Sequence, residues 1–125
     1  MCDNAGKPGI EKERSMLIVA VVFEFVPGGF DRIKAEVLDA IENSRKEPGA
    51  QIYDWAIDVT APNRAIIFEV WDGQAELDAH FTHPYMDTLV AALSAANIRG
   101  DITHYSAEIY DVSGKRDMGF RLPTE

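Results

Sequence analysis

The chain has 125 residues, of which 46% are hydrophobic and 26% charged, and its formal net charge is −9. That length suits one domain with a single modest core, and the composition is globular rather than disordered. A negative field with no local Lys/Arg run to offset it repels phosphate backbones and anionic lipid, which argues against nucleic acid and membrane surfaces as partners.

Residues 1–15 read as a polar N-terminal extension. They hold the one cysteine, Cys2. It permits no intramolecular disulfide and has nothing nearby to activate it as a nucleophile, so a reducing cytoplasm is the expected location. The charged stretch Lys7–Arg14 followed by the apolar run Met16–Phe23 has the outline of a signal peptide. Glu11 and Glu13 among the charges, Glu24 at the end of the run and the lack of a small-residue cleavage site argue otherwise. The run is also shorter than the ~20 residues that cross a bilayer.

Met16–Val26, rich in Val, Ile and Phe, is predicted to be a strand and to begin the compact domain, which runs over 16–112. Pro27-Gly28-Gly29 breaks it. Phe30–Lys46 has helical spacing, with Phe30, Ile33, Val37, Ala40, Ile41 and Ser44 on one side. Asp31 suits the first turn of that helix, Arg45 and Lys46 suit the last, and Glu47-Pro48-Gly49 is a stop signal. Gln51–Thr60 alternates, with Tyr53, Trp55, Ile57 and Val59 on one face. Ala61-Pro62-Asn63 reads as a turn and Arg64–Trp71 as a third strand. Gln74–Thr82 is a short helix, and Pro84 restarts a second one to about Ile98. Gly100-Asp101 breaks the pattern, Ile102–Val112 is a fourth strand, and 113–125 is a polar tail.

The order β-α-β-β-α-β predicts an α+β, ferredoxin-like fold: a four-stranded antiparallel sheet with both helical layers on one face. The first strand is apolar on both faces, with Leu17, Val19, Val21, Phe23 and Phe25 on one and Ile18, Ala20, Val22 and Val26 on the other. A half-solvated antiparallel strand alternates apolar with polar. The bare face therefore needs a cover, and a second copy of the chain is the simplest one. The expectation is a homodimer whose sheets pack face to face.

Absent motifs narrow the chemistry. No Gly-x-Gly-x-x-Gly follows a strand, Gly28-Gly29 leads into Phe30-Asp31 rather than a phosphate loop, and there is no cysteine cluster. No cofactor held by a recognised motif is expected. His80 and His83 have the spacing to face one metal on a helix, but Pro84 disturbs the helix there and no third ligand has a matching spacing. His80 is either a half-buried histidine bonded to backbone or a general base or donor at a pocket, since an imidazole titrates near neutrality. His83 reads as an exposed helix-start residue, and His104, with Ser106 and Glu108 on the polar side of the last strand, as a solvated or interface residue. Glu69 and Trp71 share a strand face. Glu69 either ties neighbouring elements together or orients His80 or a ligand hydroxyl. Trp71 is either core or a flat wall for an aromatic ligand. Tyr53 and Trp55 are core or interface residues, or pocket-lining ones with a useful Tyr53 hydroxyl. Tyr85 packs on the surface or bonds a ligand.

Glu47-Pro48-Gly49-Ala50-Gln51-Ile52-Tyr53, then Phe68-Glu69-Val70-Trp71, then Leu77-Asp78-Ala79-His80-Phe81 with Pro84, resemble the antibiotic biosynthesis monooxygenase (ABM) domain family over roughly residues 16–112. The resemblance implies a dimeric α/β barrel with a pocket between sheet and helices. It also implies that a small aromatic, quinol or polyketide-like substrate is oxidised with O₂ as co-substrate and without metal or flavin. In that chemistry the deprotonated substrate supplies the electrons, and the protein supplies a base, oxyanion donors and an apolar wall. The implied assignments are His80 as base or donor, Tyr53 as donor and Trp71 as wall, with Glu69, Tyr85 and Trp55 also contacting substrate. Many members carry a second histidine where this chain has Tyr85, which counts against a two-histidine mechanism. Haem-degrading relatives use an Asn, a Trp and a His where this chain has Val21, His80 and Val90, which argues against haem degradation. The acidic charge argues against a phosphorylated ligand, the substrate type of an isomerase branch. Two other functions remain open on the same fold: a non-catalytic small-ligand-binding protein, and an isomerase using His80 for proton transfer.

Overall fold

A computed structural model describes residues 16–124. The extension 1–15 with Cys2, and Glu125 at the end of the tail, lie outside the described residues. Strand β1 (Met16–Phe25) is the central run of Val, Ile, Leu and Phe. After the turn at Gly28, which sits at φ 81, the chain does not enter one long helix. Phe30–Ile33 forms a 3-10 turn and α1 follows over Lys34–Ser44, with the break at Ile33 (φ −117). The 3-10 turn lets Phe30 fold back edge-on against Phe25, with ring centroids 5.7 Å apart.

Strands β2 (Ala50–Asp58) and β3 (Ala61–Trp71) form a hairpin. Its turn falls at Val59-Thr60, ahead of the expected Ala61-Pro62-Asn63. Asp58 Oδ1 accepts from the Thr60 amide (2.8 Å) and hydroxyl (2.7 Å), closing the turn early. Pro62 and Asn63 then lie in β3 beyond its pairing with β1, which starts at Arg64 opposite Glu24. A residue without an N–H is tolerated there. Helix α2 (Gln74–His80) and helix α3 (Pro84–Arg99) follow; α3 has Pro84 in its first turn and ends on Gly100 at φ 85, a left-handed cap suited to glycine. Strand β4 (Ile102–Val112) completes the domain.

The sheet order is β2-β3-β1-β4 with every neighbour antiparallel, as in the ferredoxin-like fold. The register assigns the faces. Leu17, Val19 and Phe25 of β1, Tyr53 of β2, and Ala65, Ile67, Glu69 and Trp71 of β3 are buried beneath the helices. Val37, Ala40, Met86, Leu89 and Ala96 close the core from the helical side. On the opposite face Ile52, Ile66, Phe68 and Tyr110 are exposed, and Ile18, Ala20 and Val22 are half-buried. Among the described residues no helix is long and apolar enough to cross a membrane.

Candidate functional site

The site begins at the turn that ends α1. Glu47 N–H donates to Ser44 O (3.1 Å), Ala50 N–H to Glu47 O (3.1 Å), and Asp72 N–H to Gly49 O (2.9 Å), so the turn is tied to both the helix and the end of β3. A Cβ on Gly49 would collide with the Glu76 side chain, and glycine is what lets the turn lie against α2. The last residue of α2 is His80. Its Nδ1 stands 2.8 Å from Glu47 Oε2.

His80 is fully buried. Its ring packs against Trp71 (centroids 4.6 Å), Phe81 (5.0 Å) and Tyr53 (5.5 Å). Burial holds its pKa below the usual imidazole range, against the opposing pull of the Glu47 hydrogen bond. The other ring nitrogen, Nε2, is buried and has no hydrogen-bond partner. Tyr85, in the first turn of α3, donates its hydroxyl to the same Glu47 oxygen. Desolvation, and then the hydrogen bond to Glu47, push the Tyr85 phenol up and keep it a donor. His83 Nε2 lies 3.7 Å from Glu47 Oε1, and its ring stacks on Tyr85 at 5.0 Å. Glu47, His83 and Tyr85, with Asn43, Lys46 and Pro48, line an outer cleft of about 220 Å³.

A second space, sharing no residue with that cleft, lies between the sheet and α3. It is an apolar cavity of about 180 Å³, walled by Val21, Phe23 and Ile67 from the sheet and by Met86, Leu89 and Leu93 from the helix. The polar groups lining it are on Tyr53, Trp55 and Glu69. At Phe23, Leu93 and Ala107 it adjoins an open groove of about 280 Å³ bordered by Ser94, Asn97 and Tyr105. Burial pushes the Glu69 carboxyl up to about 7, against the hydrogen bond it accepts from the Trp71 indole at 2.9 Å. Burial likewise pushes the Tyr53 phenol up to about 12, so Tyr53 stays protonated. The Trp55 indole reaches the Tyr53 hydroxyl at 3.5 Å. Glu69 can thus exchange a proton near neutral pH while Tyr53 offers a hydrogen bond, both within an apolar wall.

Tyr53, Trp55 and Glu69 all reach the cavity. His80 does not line it; its ring sits behind Tyr53 and Phe81, both of which do. Trp71 is fully buried behind Glu69 and His80 and is not part of the cavity wall. Tyr85 faces the outer cleft. The partner of His80 is Glu47, 33 positions away, and not Glu69, which holds the Trp71 indole. Glu47 was legible only as a helix stop and as part of the Glu-Pro-Gly segment. Among the described residues no group of three or more His, Cys, Asp or Glu side chains could hold a metal ion.

Comparison with known proteins bears on this arrangement. In the solved structures, a Deinococcus radiodurans protein superposes with a TM-score of 0.70 at 18% identity, covering 82% of this chain and 97% of that one. A Nitrosomonas europaea protein gives 0.68 at 17%, covering 81% and 92%. Both carry a provisional antibiotic biosynthesis monooxygenase name. A Mycobacterium tuberculosis protein gives 0.64 at 18%, covering 84% and 100%. At such identities the likeness shows the fold. An uncharacterized protein of Synechocystis is 46% identical over 50 residues, 40% of this chain, and the match spans only 34% of that relative. The sequence model of the antibiotic biosynthesis monooxygenase family matches residues 16–92, from the start of β1 into α3, a span that holds Glu47, Tyr53, Trp55, Glu69, Trp71, His80 and Tyr85. The chain therefore belongs to the antibiotic biosynthesis monooxygenase family.

Proposed function

We propose that the protein is a cofactor-independent monooxygenase that binds a small aromatic, quinol or polyketide-like compound between the sheet and α3 and oxidises it with O₂. The observation that carries this reading is the apolar cavity whose polar lining comes from Tyr53, Glu69 and Trp55. Such a space favours a flat, weakly polar ligand and excludes the water that would compete for a reactive intermediate. In this reading an acidic O–H or C–H of the ligand gives up its proton and the resulting phenolate or enolate supplies electrons to O₂. One oxygen atom enters the product as a carbonyl where a CH₂ stood, and the other leaves as water with the two hydrogens, so the ligand furnishes all four electrons that reduce O₂. Glu69, poised near neutrality, and His80, with its free Nε2, are the groups that take and return protons. Tyr53 donates to the developing oxyanion. Trp55 presents a flat face, while Trp71 serves by holding Glu69.

The same reading assigns the exposed apolar sheet face to a second copy of the chain, as a homodimer. A different reading, a non-catalytic small-ligand-binding protein, draws on one observation: His80 does not line the cavity. An oxygen electrode with a panel of hydroquinones and anthrone-like compounds, run beside calorimetry on the same panel, separates the two. O₂ uptake that saturates with a bound compound supports the monooxygenase. Tight binding with no uptake across the panel contradicts it and favours the binding protein.

A further inference from the structure

We infer that Glu47 is the positioning residue of this site: it holds His80 as the Nδ1–H tautomer, leaves Nε2 as the basic atom, and supplies the counter-charge when Nε2 takes a proton. The inference rests on the proton-transfer role proposed above for His80, and it does not depend on O₂ being the oxidant.

The geometry fixes the direction of the key hydrogen bond. A carboxylate oxygen accepts, so the 2.8 Å contact between Nδ1 and Glu47 Oε2 places a hydrogen on Nδ1. Nε2 has no acceptor within reach. A proton resting there would be a buried, unpaired donor, and a neutral ring avoids it by keeping the lone pair on Nε2. The tautomer is thus assigned from the hydrogen-bond network around the ring.

Glu47 is itself held from three directions. Its backbone is fixed by the turn closed through Ser44, Ala50 and Gly49, and its Oε2 takes a second donor from Tyr85. The ring it orients is wedged between Trp71 and Tyr53. The carboxylate therefore joins the α1–β2 turn, the end of α2 and the start of α3 at one atom, and that atom points at the imidazole. The titratable groups that act on the charge of the ring are Glu47 in the turn and, more distantly, His83 at the start of α3, while Tyr53 from β2 and Trp71, bonded to Glu69, from β3 pack against it. Among the described residues no Lys or Arg is ion-paired with Glu47, whose carboxylate instead faces the rings of His80 and His83.

The step balances simply. A ligand O–H or C–H bond breaks, its electron pair stays on the ligand, and an N–H bond forms at Nε2. The imidazolium lies beside Glu47, and the proton returns later to an oxygen anion. Nothing is oxidised in the transfer. Tyr53 and Phe81 line the cavity and pack on the His80 ring, so a transfer to Nε2 requires one of those two side chains to move aside.

Nitrogen-15 NMR of the histidine side chains tests this without any turnover. In the wild-type protein at pH 7, His80 is expected to show a protonated Nδ1 and an unprotonated Nε2. In Glu47→Ala the Nε2–H tautomer should become the major form, and the His80 titration midpoint should fall, because the contribution that raised it is gone. Glu47→Asp keeps a carboxylate and should restore the wild-type pattern. With any compound found to turn over, Glu47→Ala should lower kcat by about 10²-fold or more with KM changed by less than about threefold. Glu47→Asp should recover most of that loss. A wild-type His80 protonated on Nε2 overturns the inference even if the alanine variant fails to fold. An unmoved tautomer and midpoint in a folded Glu47→Ala also overturns it. If the NMR pattern holds but no compound consumes O₂, the inference stands and the oxygenation reading falls.

Discussion

Phe68 and Glu69 are neighbours in β3 that face opposite sides of the sheet, and their exposures run against their chemistry. The phenylalanine is 40% exposed, whereas the carboxylate is 7% exposed. The period of two along a strand decides which side a residue faces, whatever its polarity. Each reversal then needs its own compensation. Glu69 is compensated from within the chain, by the Trp71 indole and by a carboxyl group pushed up to about 7, so that it need not always carry charge. Phe68 has no such partner. Its neighbours on that face, Ile66 opposite Ala56 and Ile52 opposite Val70, extend the apolar surface instead of covering it. One reversal therefore lies at the candidate site inside the protomer, and the other leaves the apolar surface that the proposed homodimer would cover.

The largest expected effect lies on the covered side. His80→Ala should lower the rate of O₂ uptake by about 10²–10⁴-fold with a compound that turns over, the range for loss of a general base. An unchanged initial rate removes His80 from proton transfer.

Glu69→Gln probes the buried carboxyl directly. A carboxyl whose pKa rises from 4.5 in the unfolded chain to about 7 in the folded protein binds its proton more tightly when folded. Its protonated form is therefore favoured by folding below pH 4.5, and stability is lost as the pH rises through 7. Glutamine keeps the acceptor for Trp71 and has no charge to bury. The variant should match the wild type near pH 4.5 in urea unfolding and exceed it by about 3 kcal/mol at pH 8. Parallel stability curves across that window would show that Glu69 is not held protonated by the fold.

On the bare side, Phe68→Lys should raise the dimer dissociation constant by about 10²-fold, since a two-fold interface loses the phenylalanine twice. Light scattering after size exclusion gives the mass. A wild-type protein that elutes as a monomer at micromolar concentration refutes the assembly itself. The smallest effect belongs to the hairpin: Asp58→Ala removes the acceptor that closes the turn at Thr60, and the Arg64 ion pair with it, and should lower the urea unfolding midpoint slightly with activity kept. A variant as stable as the wild type would mean that the Val59-Thr60 turn forms without it.

The two sides were not equally readable in the amino-acid order. The alternation in β1 and β3 is local, so the strands, their faces and the ferredoxin-like order followed from it, and so did the apolar character of the second face. Tyr53, Trp55 and Glu69 could be named because they lie on the alternating face of their strands. The pairing at the centre of the site could not. Glu47 sits in a Glu-Pro-Gly turn whose local meaning is the end of a helix, and its partner His80 comes 33 positions later. The turn's hydrogen bonds to α1 and β3, and the close approach of Gly49 to Glu76, bring them together. The Glu69–Trp71–His80 stretch therefore invited a local partner for His80 that the folded chain supplies from elsewhere. The early hairpin turn was hidden for a similar reason: Ala61-Pro62-Asn63 has the stronger turn composition, but the Asp58 side chain closes the turn before it.

The difference between the two faces is tested most directly by a crystal structure of the protein with the tightest-binding quinol or anthrone-like compound of the panel. The expected result is a ligand between the sheet and α3, in contact with Tyr53 and Glu69, and a second copy seated across Phe68. A ligand lodged on the Phe68 face, with the cavity beside Glu69 closed by side chains, would contradict it.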